Sequence, residues 1–292
     1  MKDILLEHYK RRPRMRIRDI VKLIYQSEFA GGHLVKNKED SLRRLKDEIG
    51  QLGKSGSFEP KNGGLFEDIG SGLCRLNLDR LSGTGISIET VNKFFVNTAN
   101  SVSGSISRFE EKLGILRQCC IDRELPFPVD ELDMFVSGYR ENGYPAVGHS
   151  EEYRREYSPS YRIVKAEYCK FFSVFSSIDA LMRTRGSVNV AVDGCSGSGK
   201  STFASLLAGV YDCNVFHTDH FFLTPDIRTE ERLNETGGNF DYERFKEEVI
   251  NGIMSGRVFS YRVYNCSKKT FDRMVEVHPK SLNIIEGCYS MH

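Results

Sequence analysis

The stretch Gly194-Cys195-Ser196-Gly197-Ser198-Gly199-Lys200-Ser201 decides the fold of the C-terminal part of this chain. It matches the pattern G-x-x-x-x-G-K-[ST] at every fixed position. The β-branched run that precedes it, 187–193, is typical of a buried parallel strand. The pattern that follows it, 201–209, is helical and ends at a glycine. Strand, glycine-rich turn and helix together predict a phosphate-binding loop.

Each residue type in this loop has a physical role in holding phosphate. Glycines let successive backbone N–H groups turn toward one anion without interference from a Cβ atom, and the following helix directs its positive end at the same place. Lys200 can then reach the β- and γ-phosphates of ATP, and the Ser201 hydroxyl can bind Mg²⁺. The predicted ATP-binding residues are Gly194, Cys195, Ser196, Gly197, Ser198, Gly199, Lys200, Ser201 and Thr202.

Composition and charge limit the class of protein. The 292 residues suffice for about two domains, and a charged content of 28% is ordinary for a soluble globular protein. A net charge of +1 gives no indication of a nucleic-acid or membrane partner, and no apolar run is long enough to span a bilayer. Eight dispersed cysteines without a C-x-x-C pair argue against structural zinc and favour reduced thiols in a cytoplasmic protein.

Residues 1–184 are predicted to form a separate, mostly α-helical domain of unknown role. Apolar residues at helical spacing predict helices over 17–25, 42–52, 88–100, 105–121 and 129–141. Asp40 or Ser41 is the expected cap of the second of these, and a long amphipathic helix over 160–183 is expected to end the domain. Residues 67–78 suggest a turn leading into a short strand, and 53–64 a glycine-rich loop. His33 lies beside a glycine turn, where a structural role is favoured over a functional one.

Residues 185–292 are predicted to be an α/β domain of the P-loop NTPase type with a parallel sheet of about three strands. The predicted strands are 188–193, 213–217 and 282–286, in the spatial order second, third, first, with one edge left unpaired. The second strand delivers Asp219 at its C-terminal end, where ligands bind in open α/β sheets. Asp219 is therefore the predicted catalytic base, acting with Lys200, and a predicted ligand of Mg²⁺.

Five segments occur in an order that resembles the uridine kinase/phosphoribulokinase family of P-loop kinases. They are the phosphate-binding loop, Thr218-Asp219-His220-Phe221-Phe222, Gly237-Gly238-Asn239-Phe240-Asp241, Tyr261-Arg262-Val263-Tyr264-Asn265 and Ile284-Ile285-Glu286-Gly287. The similarity covers about residues 186–292, so the chain looks like a bacterial uridine kinase-like protein with an added N-terminal helical domain. It implies ATP and Mg²⁺ as cofactors and a small-molecule acceptor that carries a hydroxyl group.

The resemblance also implies roles for individual residues. Asp219 matches the family's catalytic aspartate, and Glu286 matches the acidic residue that ends the third strand near Mg²⁺. The predicted metal ligands are thus Ser201, Asp219 and Glu286. Phe240 and Asp241 match the segment that holds sugar hydroxyls, and Tyr264 a tyrosine of the acceptor pocket. The full predicted acceptor-binding set is Phe222, Phe240, Asp241, Arg262 and Tyr264.

Departures from the family pattern leave the acceptor open. Uridine kinases tend to have tyrosine at the position of Phe222, aspartate at Asn265 and a base-reading histidine at Lys269. Related kinases also continue for about a hundred residues with an arginine-bearing lid, so the chain is expected to be a fragment or an unusually short enzyme. Arg228, Arg232 and Arg262 are the available candidates to replace the lid arginines.

The leading prediction is an ATP-dependent kinase that phosphorylates a hydroxyl of a nucleoside-like or other small metabolite. The alternative is a regulatory module that binds nucleotide without efficient transfer. An NTP hydrolase ranks last, because no residue pattern for positioning a water molecule stands out after the loop. The acceptor, the oligomeric state and the role of residues 1–150 are not predicted.

Overall fold

The computed structural model describes residues 1–32, 34–54 and 63–291. His33 and most of the predicted 53–64 loop therefore lie outside the described residues. By its contacts the chain divides into two units, Met1–Ser177 and Ile178–His292, which are called unit 1 and unit 2 below. Among the described residues, no helix is both long enough and apolar enough to cross a membrane.

Unit 1 is built mainly from helices. They are α1 (Lys2–Arg11), α2 (Ile17–Phe29), α3 (Lys38–Lys54), α4 (Ile88–Ser101), α5 (Ile106–Ile121), α6 (Val129–Glu141), α7 (Glu151–Tyr157) and α8 (Ala166–Lys170). The next helix, α9 (Phe172–Thr184), contains the division between the units. The apolar faces of α1, α2 and α5 meet in one core, which includes Leu5, Ile20, Ile24, Phe109 and Leu116. The helices predicted over 88–100, 105–121 and 129–141 are confirmed.

A three-stranded antiparallel sheet completes unit 1. Its strands are β1 (Phe66–Gly70), β2 (Leu73–Asn77) and β3 (Tyr161–Lys165), in the order β1-β2-β3. The helix predicted over 160–183 is wrong at its start, because 161–165 pairs with β2, from Leu73↔Lys165 to Asn77↔Tyr161. This strand buries the β-branched Ile163 and Val164. Its pairing partners lie more than eighty residues away in the chain, so the local spacing of apolar residues could not reveal them.

The predicted cap of α3 is also wrong. The helix begins earlier, at Lys38, and the side chain of Asn37 accepts a hydrogen bond from the Asp40 backbone N–H at 2.8 Å. Asn37 thus satisfies one of the free donors of the first turn, which is the role that the sequence suggested for Asp40 or Ser41.

Unit 2 contains the predicted parallel sheet. Its strands β4 (Val188–Val192), β5 (Asn214–His217) and β8 (Leu282–Glu286) are arranged in the order β4-β8-β5, which confirms the predicted strands and their order. Every residue of β8 is buried, as expected for a central parallel strand. Within the described residues, β4 pairs only with β8, so its other edge is unpaired.

The rest of unit 2 connects and covers this sheet. Helix α10 (Lys200–Ala208) follows β4, and a 3₁₀ turn (Thr218–Phe221) follows β5. Three short helices come next: α11 (Glu230–Leu233), α12 (Tyr242–Phe245) and α13 (Asn251–Ser255). A π-helical turn (Lys246–Ile250) joins α12 to α13. An antiparallel hairpin, β6 (Phe259–Asn265) and β7 (Thr270–Val277), precedes β8. Its Tyr261 and Val263 share a core with Phe216, Phe221 and Ile285.

Candidate nucleotide-binding site

The C-terminal ends of the three parallel strands bring the predicted site residues to one edge of the sheet. In the strand register, Glu286 is paired with Val192 on one side and with His217 on the other. The segments that follow these residues are the glycine-rich loop (193–199), the turn that holds Asp219, and residues 287–291. This edge is where an open α/β sheet binds its ligands.

The glycine-rich loop has a backbone that needs its glycines. Gly197 and Gly199 have φ angles of 75° and 91°, in the left-handed region that residues with a Cβ rarely adopt, and Gly194 has 151°. Gly199 is the N-cap of α10, and no described side chain caps this helix. The N–H groups of the first helical turn lack intrahelical partners, so they face the exposed loop as donors for an anion.

Lys200 lies back over the loop. Its Nζ donates to the carbonyl of Cys195 at 2.9 Å and to the sulfur of Cys288 at 3.7 Å. In the described part of the chain its partners are thus a carbonyl and a thiol, and no carboxylate lies within ion-pair distance of it. A phosphate in the loop would offer Lys200 a charged acceptor, and hydrogen bonds to charged groups are about twice as strong as neutral ones.

Asp193 ties the loop to the segment after β8. Its Oδ1 accepts the N–H of Gly194 at 2.6 Å and that of Tyr289 at 3.1 Å. The N–H of Gly287 donates to the carbonyl of Val192 at 3.1 Å, and the Cys288 thiol donates to the carbonyl of Gly194 at 3.3 Å. These hydrogen bonds hold the start of the loop against the segment that follows β8.

Ser201 and Glu286, two predicted magnesium ligands, are in direct contact. The Ser201 hydroxyl donates to Glu286 Oε1 at 3.1 Å, and His217 Nδ1 lies 2.6 Å from the same oxygen. The Glu286 carboxylate is buried, and no described group of three or more His, Cys, Asp or Glu residues forms a metal cluster. A hydroxyl and one carboxylate fit Mg²⁺, which takes oxygen ligands and commonly uses only one or two carboxylates together with substrate phosphates.

Asp219 is exposed in the 3₁₀ turn that follows β5. It lies next to His220, whose ring is 5.2 Å from that of His217 and whose Nδ1 is 3.4 Å from the Tyr261 hydroxyl. Burial, followed by the charge of His217, lowers the pKa of His220, while Asp219 and Glu286 act in the opposite direction. Both carboxylates are thus close enough to influence the same imidazole.

The predicted acceptor residues Phe222, Phe240 and Asp241 form one folded segment. Phe222 and Phe240 make an isolated β-bridge, and the Asp241 N–H donates to the carbonyl of Phe221 at 2.7 Å. Asp241 is buried, and its side chain caps α12 by accepting the Arg244 N–H at 3.1 Å. Its second oxygen accepts from Arg244 Nε at 3.0 Å, so Asp241 already has strong partners within the fold.

Arg244 holds this region together and was missed by the sequence analysis. Besides Asp241, it donates to the carbonyls of Arg262 at 2.9 Å and His220 at 3.0 Å, and it stacks over the Phe221 ring. Its side chain is buried to the same degree as that of Asp241. The spacing of Asp241 and Arg244, three residues apart at a helix start, was the available signal.

The remaining candidates are placed on the hairpin and on the segment before α12. Tyr264 is buried against Phe271, while Arg262 is exposed and bound to Glu248, with Nε 2.6 Å from its Oε1. Arg232 donates to Glu243 at 2.6 Å and stacks over the Tyr242 ring. Arg228 is exposed. Two of the three candidate lid arginines are therefore engaged with carboxylates.

The structure brings one group of predicted site residues together at the strand ends: Lys200, Ser201 and Glu286. Asp219 follows the neighbouring strand, β5. The acceptor residues form a second group, linked by Arg244. Sequence reasoning missed His217 and Asp193, although each ends or directly follows a predicted parallel strand and could have been found by that position. Cys288, which contacts both Lys200 and Gly194, carried no signal in the sequence.

Comparison with known proteins gives a limited result. No family of known proteins matches the chain, and no curated protein matches it. Among solved structures, one described as a possible uridine kinase from Bacillus stearothermophilus is 21% identical, over 41% of this chain and 73% of that chain, with a TM-score of 0.32. Similarity at this level carries no activity over to the chain.

Proposed function

We propose that this chain binds MgATP at the glycine-rich loop and transfers the γ-phosphoryl group to a hydroxyl of a nucleoside-like small metabolite. One observation carries the proposal: the loop, with Lys200 and Ser201 at the start of α10, lies at the sheet edge where Ser201 contacts Glu286. A phosphate-binding backbone, a lysine and an oxygen pair suited to Mg²⁺ are what phosphoryl transfer from ATP requires.

We assign a separate role to each residue at this edge of the sheet. The N–H groups of the loop and of the first turn of α10 bind the phosphates, and Lys200 turns from the Cys195 carbonyl to the β- and γ-phosphates. Ser201 and Glu286 would hold Mg²⁺, which supplies positive charge against the phosphates when bound. Asp219, exposed beside the edge, accepts the proton of the acceptor hydroxyl as that oxygen bonds to the γ-phosphorus; the bond from this phosphorus to the β–γ bridging oxygen breaks, and ADP leaves.

The acceptor would lie against the segment that contains Phe222 and Phe240. The half-buried rings of Phe222 and Phe240 offer an apolar surface to such a ligand. Asp241 would contribute by fixing this segment through Arg244, since both of its carboxylate oxygens already have partners.

A second candidate function is a regulatory module that binds nucleotide without efficient transfer. The pairing of Arg232 with Glu243 and of Arg262 with Glu248 favours it, because an arginine held by a carboxylate is not available to the transferred phosphoryl group. One such arginine is worth about a thousandfold or more in rate in other phosphoryl-transfer enzymes.

The experiment is a transfer screen with γ-labelled ATP and Mg²⁺ against nucleosides, pantothenate and sugar acids. We expect label to appear in one acceptor with the unaltered chain and not with Lys200→Ala. Lys246→Ala is the matched control, because Lys246 is exposed on the π-helical turn and is not part of the loop. Nucleotide binding without transfer to any acceptor would select the regulatory module, and no nucleotide binding would contradict both functions.

A further inference from the structure

Unit 1 contains a cavity that the proposed function does not use. It has a volume of about 500 Å³ and lies between α2, the start of α3 and β3. Its lining includes Lys22, Tyr25, Gln26, Arg44, Tyr161 and Arg162. A cavity of this volume is in the range of small-molecule sites, and a few convergent polar groups among apolar ones are typical of such sites.

The cavity has more positive than negative charge. Among its described lining residues, Asp40 alone carries a carboxylate, and that carboxylate is already paired with Arg43 and with Arg44. Lys22 Nζ donates to the carbonyl of Val147 at 2.8 Å, and no described carboxylate lies within ion-pair distance of it. A partly buried ammonium group with only a carbonyl as its partner favours an anion beside it.

A continuous chain of hydrogen bonds includes two residues of the cavity lining, Gln26 and Tyr161. Arg75 donates from Nη2 and Nε to Gln26 Oε1 at 2.7 and 3.1 Å, and Gln26 Nε2 donates to the Tyr161 hydroxyl at 3.1 Å. The distance from the Tyr161 hydroxyl to His149 Nε2 is 2.6 Å, and that from His149 Nδ1 to Asp19 Oδ1 is 3.0 Å. The Arg75 guanidinium also stacks over the Tyr161 ring.

The two ends of the chain, together with the neutral state of His149, whose pKa burial lowers to about 4, fix the direction of its bonds. Arginine can only donate, so Gln26 directs its amide oxygen to Arg75 and its amide nitrogen to Tyr161. The Tyr161 hydroxyl has a single proton and donates it to the neutral His149 Nε2 at 2.6 Å rather than to Gln26 Oε1, which lies 3.3 Å away. His149 then carries its proton on Nδ1, facing Asp19. The phenolic oxygen of Tyr161 accepts one bond from Gln26 and keeps one lone pair for another donor.

We propose that this cavity, called the Lys22–Tyr161 cavity below, is a second ligand site, which takes a small hydroxylated organic anion. The anionic group is held by Lys22, and a ligand hydroxyl donates to the remaining lone pair of Tyr161. The site is independent of the glycine-rich loop, since all of its residues belong to unit 1. A carboxylate and a phosphate monoester offer the same oxyanion chemistry to Lys22.

The test is calorimetric titration of the full chain with two probes, glycerol 3-phosphate and glycerate, which distinguish the two oxyanions. Glycerol, which lacks the anion, and propionate, which lacks the hydroxyl, are the comparison compounds. We expect saturable binding of at least one probe and none of glycerol. If neither probe binds at concentrations up to about 10 mM, where the binding free energy falls below about 3 kcal/mol, the proposal is wrong.

Variants locate the binding. Lys22→Met should weaken binding of the probe about tenfold or more, the range for a hydrogen bond to a charged group. Lys93→Met is the matched control, because Lys93 is exposed on α4 in the same unit, and it should change nothing. Tyr161→Phe should weaken the hydroxylated probe and leave propionate unaffected. Lys200→Ala should leave the affinity unchanged, and a loss there would assign the probe to the loop and overturn the proposal.

A second measurement uses the unaltered chain, so it does not depend on how the variants fold. The pKa of Lys22 is lowered to about 8, mainly by burial and then by Arg75 and Arg154, while Asp19 raises it. The titratable groups that face it keep their protonation states near pH 8: His149 stays neutral, because burial lowers its pKa to about 4, and Tyr25 and Tyr161 stay protonated, because burial raises their pKa. Arg18 is a further cation near Lys22. A bound anion raises the pKa of Lys22, so binding at pH 8 should take up about half a proton. Titrations in two buffers of different ionisation enthalpy, repeated at pH 7, 8 and 9, measure this uptake, and its absence at all three pH values would overturn the proposal.

Discussion

The glycine-rich loop and the Lys22–Tyr161 cavity are two candidate sites that the chain builds in opposite ways. The loop takes eight consecutive residues and adds groups at the ends of neighbouring parallel strands. The cavity and the chain of hydrogen bonds beside it combine residues from positions 19 to 163, which come from five elements and two loops. The loop is exposed, whereas Asp19 and Arg75 are fully buried. A site of consecutive residues can be read from a sequence, and a site assembled by tertiary packing cannot.

The largest expected effect tests whether the loop is a site at all. Lys200→Ala should reduce phosphoryl transfer to background and weaken nucleotide binding by about ten- to hundredfold, because it removes a cation that faces phosphate. The exposed, dipolar contacts of Lys200 mean that the thermal midpoint of the variant should stay near that of the unaltered chain. Calorimetry with ATP and a thermal melt measure the two quantities. An unchanged nucleotide affinity would remove the basis for the proposed function.

The next prediction separates folding from binding among the acceptor residues. Asp241→Ala should lower the free energy of unfolding by about 3 kcal/mol, since it removes the close carboxylate partner of the buried Arg244 and leaves only Glu248, 3.9 Å away. The matched control is Asp272→Ala, which breaks an exposed pair with Lys268 and should cost less than about 1 kcal/mol. Urea unfolding of both variants measures the difference. If the two variants are equally stable, Asp241 does not hold the segment, and its carboxylate is available to an acceptor.

The same contrast explains how much of the fold the sequence could predict. The strands 188–192, 214–217 and 282–286 and their order were predictable, because continuous apolar runs and strand–loop–helix punctuation are local signals. Strand β3 was not, because Tyr161–Lys165 also fits the amphipathic pattern of the helix that follows. Pairing with β2, which lies far away in the chain, is what makes this segment a strand and not a part of the helix.

The candidate site was predictable to a similar extent. Lys200 and Ser201 were identified from the motif and Glu286 from the family resemblance, and the structure brings Ser201 and Glu286 into contact. The ion pairs of Asp241 with Arg244 and of Arg262 with Glu248 were not predictable, since they depend on which side chains the fold brings together. Nothing in the spacing of Asp19, Arg75 and His149 indicated that one chain of hydrogen bonds would include all three.

A smaller effect distinguishes chemistry from binding within the loop site. Asp219→Asn keeps the size and the hydrogen-bonding capacity of the side chain but removes the base. We expect ATP to bind within a few-fold of the unaltered chain and transfer to fall by about a hundredfold, the scale of general-base loss. Parallel measurement of ATP affinity and initial rate tests this, with Asp226→Asn as an exposed control in the same segment. Full activity of Asp219→Asn would mean that another group accepts the proton.

The smallest effect concerns the buried hydrogen-bond chain of unit 1 and appears as a pH dependence. Two influences compete at His149: burial, the larger, lowers its pKa and Asp19 raises it, and the result is a pKa of about 4. Since an unfolded histidine titrates near pH 6.5, between about pH 6.5 and pH 4 this histidine binds a proton in the unfolded chain but not in the folded one. Stability is therefore complete above this window and falls as the pH decreases through it, by about 2 kcal/mol between pH 7 and pH 5 for this residue.

His149→Gln keeps hydrogen bonding but does not titrate, so it should remove this part of the acid sensitivity. His8 is the internal control, because its pKa is also lowered to about 4 by burial, and its contribution stays in the variant. Urea unfolding at pH 7 and pH 5 should show that the variant loses about 2 kcal/mol less than the unaltered chain between the two values. An equal loss in both proteins would mean that Asp19 outweighs burial. His149 would then be charged when folded, and Tyr161 could no longer donate to it.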